Sequence, residues 1–269
     1  MKIKTIEHAG FCFGVSRAVD LLEQEIEAGA RPLYTIGPII HNPQIIERMS
    51  QRGVLIAQCV QDVPQNATAV IRAHGVPKED LEYLQGREIR LIDATCPFVE
   101  KIQRIVEKER EQIILIGGNP AHPEVIGIRS YGGAQTFVFR NVEELQKLKV
   151  QLPSFSSKYI VVVWQTTFNL TEFEKCSAFL KKNFENLKLY DTICKATQIR
   201  QQETAALASE CDAMIIVGGR QSSNTAKLFS IAGAVCPCTV LIEQANEVPI
   251  KRGLVLQAGL PPLFVSSRR

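Results

Sequence analysis

Short apolar runs alternate with stretches of helical periodicity along most of the chain. This alternation is typical of βα units that form mainly parallel sheets. The predicted strands are AVIRA (69–73), REIRLIDA (87–94), QIILIGG (112–118), KYIVVVWQ (158–165), LKLYDTI (187–193), AMIIVGG (213–219) and TVLIE (239–243). The pattern therefore predicts an α/β fold.

Two helices are predicted from the spacing of their apolar residues. Repeats at three and four positions place apolar side chains on one face of a helix, which is then expected to be buried. The first face contains Val15, Ala18, Val19, Leu22 and Ile26, and the second contains Phe98, Ile102, Ile105 and Val106.

The segments that follow the predicted strands carry many functional side chains. They are His74; Thr95 and Cys96; His122 and Glu124; Gln165, Thr166 and Thr167; and Ser222, Ser223 and Asn224. Ligands of open parallel sheets bind beyond the carboxyl ends of the strands. His41 lies in a similar polar turn, so three of the four histidines occupy such positions. We expect a ligand site there.

Three cysteines occupy matching places in the chain. Cys12, Cys96 and Cys194 each lie in a short polar turn that leads into a helical pattern, and they divide the chain into three parts of similar length. As a set they are candidate metal ligands contributed by three domains, whereas each one alone is equally consistent with a buried structural thiol.

Two kinds of metal suit three thiolates. Catalytic zinc takes three protein ligands and keeps one position open, but the paired C-x-x-C knuckles of structural zinc are absent. A [4Fe-4S] cluster held by three thiolates leaves one iron open to bind a substrate as a Lewis acid. The iron–sulfur interpretation fits better, and an open iron indicates catalysis rather than electron transfer alone.

The other five cysteines are left out of this chemistry. Cys59, Cys176 and Cys211 lie in helical or strand-edge patterns and are predicted to fill the core or the surface. Cys236 and Cys238 form a C-P-C sequence for which no further metal ligands are found.

Composition and charge exclude several classes of protein. The 269 residues are 45% hydrophobic and 22% charged, which is ordinary for a globular chain. The net charge of +3 comes from dispersed Lys and Arg, so no nucleic-acid partner is expected. The sequence lacks a signal-peptide pattern and any apolar run long enough to cross a membrane. We expect a cytoplasmic protein whose cysteines remain reduced.

The turn G-G-R-Q-S-S-N-T is a candidate anion site. Gly218 and Gly219 permit close backbone approach, and Ser222, Ser223 and Asn224 can donate hydrogen bonds at the start of a helix. The alternative is an ordinary helix cap. With His41 and His74, the turn suits a small phosphorylated ligand. In A-H-P-E-V-I-G, Glu124 can deliver a proton, whereas His122 and Glu124 can equally be loop residues that face water.

Eight motifs resemble those of the LytB family, in the same order, from residue 10 to about 245. They are GFCFGV, IHN (40–42), AHGV (73–76), DATCP, HPEVIG, QTT, DTICKATQIRQ and VGGRQSSNT. The resemblance implies three small α/β domains with mainly parallel sheets, in a pseudo-threefold trefoil around a central iron–sulfur cluster. We place the domains at 14–95, 96–193 and 194–269, with an N-terminal segment, 1–13, that packs with the third.

The resemblance also implies a reaction. LytB enzymes reductively remove the C4 hydroxyl of 4-hydroxy-3-methylbut-2-enyl diphosphate in the methylerythritol phosphate route, giving isopentenyl and dimethylallyl diphosphates. By this resemblance, Cys12, Cys96 and Cys194 hold a [4Fe-4S] cluster whose open iron binds the C4 oxygen. Glu124 is the proton source, and Thr166 forms a hydrogen bond near the leaving oxygen. The diphosphate ligands are His41, His74, His122, Ser222, Ser223 and Asn224. A ferredoxin or flavodoxin-type electron donor is implied.

Two departures from the family bear on this interpretation. Gly259 stands where the family has a serine that contacts the diphosphate, and the chain ends at Arg269, where the family continues. Loss of one phosphate donor predicts binding weaker by about one to two orders of magnitude. Two alternatives remain: an enzyme resembling quinolinate synthase, and an inactive or redox-sensing paralogue that keeps the cluster. The H-P-E and S-S-N turns argue against the first alternative, and Glu124 and Thr166 argue against the second.

Overall fold

The computed structural model describes residues 2–151 and 159–248. The helices in this part of the chain are α1 (Phe13–Glu27), α2 (Pro43–Gln51), α3 (Lys78–Gln85), α4 (Pro97–Lys108), α5 (Pro123–Ser130), α6 (Val142–Gln151), α7 (Leu170–Asn183), α8 (Lys195–Glu210) and α9 (Ser223–Val235). The strands are β1 (Leu33–Ile36), β2 (Val54–Ala57), β3 (Thr68–Ile71), β4 (Arg90–Asp93), β5 (Ile113–Gly117), β6 (Thr136–Phe139), β7 (Ile160–Trp164), β8 (Leu187–Leu189), β9 (Met214–Val217) and β10 (Thr239–Ile242). The predicted α/β fold is confirmed.

The chain forms two compact units, and each is described by itself. The large unit comprises residues 13–40 and 46–194, and the small unit comprises the N-terminal segment to Cys12, residues 41–45 and the chain from Lys195 onward. The large unit contains two four-stranded sheets, in the orders β2-β1-β3-β4 and β6-β5-β7-β8. The small unit contains the pair β9 and β10. All of these strand pairs are parallel, as predicted. The three-domain division and the trefoil stay predictions.

The second sheet of the large unit has the most apolar centre. Every residue of β5 and β7 is buried, as expected for parallel strands that are covered on both faces. On one face, Trp164 packs in a cluster with residues of α6 and α7. On the other face, Ile116 and Val163 pack against residues of α4 and α5. This rigid centre fixes the turns that follow β5 and β7.

Helix α1 buries most of its predicted face, and α4 buries only part of its predicted face. Ala18, Val19, Leu22 and Ile26 of α1 are buried, whereas Val15 is half-buried. In α4, Phe98 is 45% exposed and Val99 is buried in its place, so the prediction for Phe98 was wrong. The apolar stripe of α4 runs through Val99, Ile102 and Val106, which follows helical spacing equally well.

The five cysteines that were left out of the metal chemistry are divided between buried and exposed positions. Cys176, Cys211 and Cys236 are buried, whereas Cys59 and Cys238 are exposed, and none of the eight cysteines forms a disulfide. Among the described residues, the structure contains no helix that combines the length and the apolar character needed to span a bilayer.

Candidate active site

The centre of the candidate site is the edge where β5 and β7 end. These neighbouring strands pair Gly117 with Trp164, and the main-chain N–H of Gln165 donates to the Gly117 carbonyl at 2.8 Å. The turn that leads to His122 and Glu124 follows β5, and the Q-T-T turn follows β7. Strand order therefore brings together two motifs that are about 40 residues apart in the sequence.

Glu124 is held by Thr166 of the neighbouring turn. The main-chain N–H of Thr166 donates to Glu124 Oε1 at 2.6 Å, and the Thr166 hydroxyl donates to Oε2 at 2.8 Å. Glu124 is 1% exposed and lies in the first turn of α5, where Pro123 starts the helix. The alternative of a loop carboxylate that faces water is excluded by this burial.

Burial changes the chemistry of this carboxyl group. Desolvation raises the pKa of Glu124 from 4.5 to about 7, and the two hydrogen bonds from Thr166 oppose part of that rise. A carboxyl group with this pKa is partly protonated near neutral pH and can both give and take a proton there. The pair is therefore suited to general acid catalysis.

Two of the predicted histidines meet beside this pair. The rings of His74 and His122 pack edge to face with their centroids 5.1 Å apart. His122 caps α5, and its Nδ1 accepts a hydrogen bond from the Glu124 N–H at 3.2 Å. In neutral His122 the proton is then on Nε2, which can donate to a ligand. His122 is 8% exposed and is not a water-facing loop residue.

Cys96 lies where the start of α4 meets the start of α1. A Cβ atom on Gly14 would lie 2.5 Å from Cys96 Sγ, so only glycine allows this approach. Arg17 of α1 donates to the carbonyl oxygens of Thr95 at 3.1 Å and of Asp93 at 3.3 Å. These contacts fix the turn that presents the half-buried Cys96 thiol.

Cys194 is tied to the proton-transfer pair by the backbone. Its N–H donates to the carbonyl oxygen of Thr166 at 3.0 Å, and its thiol is half-buried. Two half-buried thiols held in turns at helix starts, one of them linked to Thr166, fit a thiolate-bound group such as an iron–sulfur cluster. Cys12, in the small unit, is also half-buried.

The small unit contains the predicted anion turn. A Cβ atom on Gly219 would lie 2.1 Å from the His41 carbonyl oxygen, so glycine is needed here for packing against the His41 segment. Ser222 caps α9 and accepts from the Thr225 N–H at 3.3 Å. Asn224 Oδ1 is buried and makes no hydrogen bond with the described residues. The helix-cap alternative is therefore confirmed for Ser222, and the anion site stays a prediction.

Arg220 of this turn is engaged elsewhere. Its guanidinium forms an ion pair with Glu247 at 2.6 Å, and the main-chain N–H of Arg220 donates to the Glu243 carboxylate at 2.7 Å. The groups of this turn that remain available to an anion are therefore hydroxyl, side-chain amide and main-chain N–H groups, and not the Arg220 guanidinium.

The predicted site residues are divided between the units. The large unit contains His74, Cys96, His122, Glu124, Thr166 and Cys194, and the small unit contains Cys12, His41, Ser222, Ser223 and Asn224. Gly259 lies outside the described residues.

Gln165 was expected near the ligand site but was assigned no role in it. Gln165 is 2% exposed, and its side chain links the two turns of the site. Its position directly after a buried strand was the available signal.

A buried carboxyl group beside histidines, at the end of parallel strands, is typical of an α/β enzyme that transfers protons. The family model for LytB protein matches residues 3–258. The chain belongs to the LytB family.

Relatives and solved structures agree with this assignment. The chain is 39% identical, over 92% of its length and 87% of the relative, to a 4-hydroxy-3-methylbut-2-enyl diphosphate reductase of Campylobacter hominis. A Helicobacter pylori protein of the same name is 38% identical over 93% of this chain and 88% of the relative. A solved structure of such a reductase, described as the terminal enzyme of the non-mevalonate pathway, has a TM-score of 0.68 and 36% identity, covering 92% of this chain and 87% of that one. The structure of the Plasmodium falciparum reductase has a TM-score of 0.83 and 29% identity, covering 89% and 76%.

Proposed function

We propose that this protein reduces 4-hydroxy-3-methylbut-2-enyl diphosphate to isopentenyl and dimethylallyl diphosphates. The reaction consumes two electrons and two protons. One proton leaves with the C4 hydroxyl as water, and the other forms a new C–H bond. Membership of the LytB family supports this reaction. The structural observation that carries it is the buried Glu124 carboxyl group, which has a pKa of about 7 and two hydrogen bonds from Thr166.

Removal of an allylic hydroxyl requires a proton at the leaving oxygen, because hydroxide is a poor leaving group. Glu124 in its acid form delivers this proton. The O–H of the acid can donate to the Thr166 hydroxyl oxygen, so that the Thr166 O–H can donate to the C4 oxygen of the substrate. Burial favours the acid form of Glu124 and excludes water, which protects the proton from exchange. His122 is the N-cap of α5, two residues before Glu124, and it can donate a hydrogen bond to an anionic substrate through Nε2.

Cys12, Cys96 and Cys194 are assigned to hold a [4Fe-4S] cluster, by the motifs that they share with the family. When bound, such a cluster supplies electrons and a Lewis-acidic iron for the departing oxygen. Half-burial of all three thiols and the absence of a disulfide support this assignment. A ferredoxin or flavodoxin-type donor in the cytoplasm, where thiols stay reduced, would deliver the electrons one at a time.

The diphosphate is assigned to His41, His74, His122, Ser222, Ser223 and Asn224. The edge-to-face packing of His74 on His122 supports their joint action on one anionic group. The start of α9 adds main-chain N–H groups and the positive end of a helix dipole. With Gly259 in place of the family's serine, these residues carry the whole of the binding that we assign.

The test is turnover of the allylic diphosphate by protein purified without oxygen and supplied with a strong artificial reductant. Iron content and the visible spectrum are measured on the same sample. Formation of the two C5 diphosphates is the expected result. A fully loaded cluster without turnover would overturn the proposal in favour of a redox-sensing or inactive paralogue.

A further inference from the structure

We infer that Gln165 is a positioning residue, whose side-chain amide sets the distance between Glu124 and Thr166. The inference rests on the proposed function only for its kinetic consequence. Its structural basis is a link between the two turns that carry the proton-transfer pair.

The Gln165 amide bonds to both turns at once. Its Oε1 accepts from the main-chain N–H of Asn119 at 3.1 Å, and its Nε2 donates to the Thr167 hydroxyl at 3.1 Å. Asn119 begins the turn that leads to Glu124, and Thr167 follows Thr166 directly. One side chain thereby joins the segment of the acid to the segment of its partner.

The main chain around Gln165 adds to this connection. Its N–H donates to the Gly117 carbonyl at 2.8 Å, and its own carbonyl accepts from the Phe168 N–H at 2.9 Å. These two bonds hold the Gln165 main chain against the end of β5 and within its own turn. The Glu124 to Thr166 contacts lie just beyond these anchors along both segments.

Gly118 makes room for the amide. A Cβ atom at this position would lie 3.1 Å from Gln165 Cβ, 3.2 Å from Oε1 and 2.7 Å from a methyl group of Val125. A larger residue at 118 would have to shift the Val125 side chain and Gln165. Glycine at 118 therefore leaves the space that the Gln165 side chain occupies between the two turns.

The pair depends on short distances, 2.6 and 2.8 Å, between groups on separate segments. A displacement of about 1 Å in such a site can cost on the order of 100-fold in rate, because proton transfer needs aligned donors and acceptors. The side-chain hydrogen bonds described above join Gln165 to Asn119 and Thr167, one on each turn. We therefore assign Gln165 a positioning role that acts through the turns.

The test compares Gln165→Met with Ser130→Ala in the full-length, iron-loaded protein. Methionine keeps the length of the side chain but removes both hydrogen-bonding groups. Ser130 makes a similar pair of bonds at the far end of α5, accepting from the Lys78 N–H at 2.8 Å and donating to the Gly127 carbonyl at 2.7 Å. We expect kcat to fall by about 10- to 100-fold in Gln165→Met with KM nearly unchanged, and to stay near wild type in Ser130→Ala.

A double-mutant cycle separates positioning from general loss of structure. If Gln165 acts through Glu124, adding Gln165→Met to Glu124→Gln lowers turnover little further. Fully additive losses, or a change confined to KM, would overturn the inference.

A second readout does not depend on turnover. Infrared difference spectra against Glu124→Gln follow protonation of the Glu124 carboxyl group in the full-length protein. Because the Thr166 hydrogen bonds lower the pKa of Glu124, loosening them in Gln165→Met should raise that pKa, as Thr166→Val also should. A pKa raised by Thr166→Val but unchanged by Gln165→Met would refute the positioning role. Wild-type protein without turnover would refute the proposed function alone, since this titration still decides the role of Gln165.

Discussion

Thr166 donates to both oxygen atoms of the Glu124 carboxyl group, from its main chain at 2.6 Å and from its hydroxyl at 2.8 Å. The two donors have different origins, because one depends on the backbone and the other on the side chain. When Glu124 is protonated, its O–H can donate to the same hydroxyl oxygen, so the contact persists in both states. This pair is the centre of the chemistry that we propose.

Replacing Glu124 with Gln should abolish most of the turnover and preserve the fold. The amide can accept from the Thr166 N–H and donate to its hydroxyl, but it has no acidic proton. We expect a loss of about 100- to 10,000-fold in kcat, with iron content unchanged. Steady-state kinetics and iron analysis of the same preparation check this prediction. Near-normal turnover would show that another group delivers the proton.

Turnover should decrease as the pH rises through about 7, where Glu124 loses its proton. The raised pKa means that the acid form dominates below this value and the carboxylate above it. The measurement is kcat as a function of pH, from about 5.5 to about 9. Thr166→Val should move the falling limb to higher pH, because the hydroxyl bond lowers the pKa. A limb at the same pH in both proteins would argue that a different group titrates.

The titration of Glu124 should also make the free energy of unfolding decrease as the pH rises toward 7. The folded-state pKa of Glu124, about 7, exceeds its ordinary value of 4.5, so the folded chain binds more protons between these pH values. The contribution of Glu124 to stability is therefore fully present below its ordinary pKa and is lost as the pH rises toward 7. The free energy of unfolding of wild type minus that of Glu124→Gln should fall by at most about 1.4 kcal/mol per pH unit across this window.

Above pH 7 this difference should level off. Denaturant unfolding of both proteins in the same metal state provides the measurement, and the subtraction removes the groups that titrate equally in both. A difference that is flat with pH throughout would contradict the raised pKa.

Gly219→Ala should damage the small unit, whereas Gly233→Ala should not. The new Cβ at 219 would lie 2.1 Å from the His41 carbonyl oxygen, so the turn or the His41 segment must move. We expect a loss of about 1 to 3 kcal/mol in stability and a raised KM for the diphosphate. At Gly233, within α9, nothing lies within 4 Å of the new Cβ. Alanine there should leave KM unchanged and raise stability by up to about 1 kcal/mol.

Iron retention should distinguish the cysteines. Cys96→Ser and Cys194→Ser should lose most of their iron, whereas Cys59→Ser, at an exposed position, should retain it. Gly14→Ala should also lose iron, because its Cβ would lie 2.5 Å from Cys96 Sγ. Iron per chain after anaerobic reconstitution is the measurement. Full iron content in Cys96→Ser would exclude this residue as a ligand.

The apolar runs predicted most of the parallel strands because burial on both faces gives continuous apolar sequence. Strands β1, β2 and β6 were missed. Neither length nor burial explains this, because β4, β8 and β10 were predicted although they are equally short and only partly buried. The prediction for Phe98 failed because adjacent apolar residues at 98 and 99 fit a helical stripe equally well.

The candidate site was predictable in its residues but not in its contacts. Position after a strand and motif resemblance selected Glu124 and Thr166, yet neither states that β5 and β7 are neighbours. That adjacency depends on the order of strands in the sheet, which follows from packing of the whole unit. Gln165 was noted after its strand, but its role becomes visible only when its two partners on different turns are known.

The two sheets of the large unit are joined through the end of α5. The Lys78 N–H donates to the Ser130 hydroxyl, the Lys78 ammonium pairs with Glu107 at 2.6 Å, and a Cβ atom added at Gly127 would lie 3.4 Å from the Val76 carbonyl oxygen, which is ordinary packing distance. Unfolding of either sheet would break these contacts, so we expect strands β1 to β8 to lose amide-exchange protection in a single cooperative step. The acid on α5 inherits the resistance to local opening of both sheets rather than that of its own short helix.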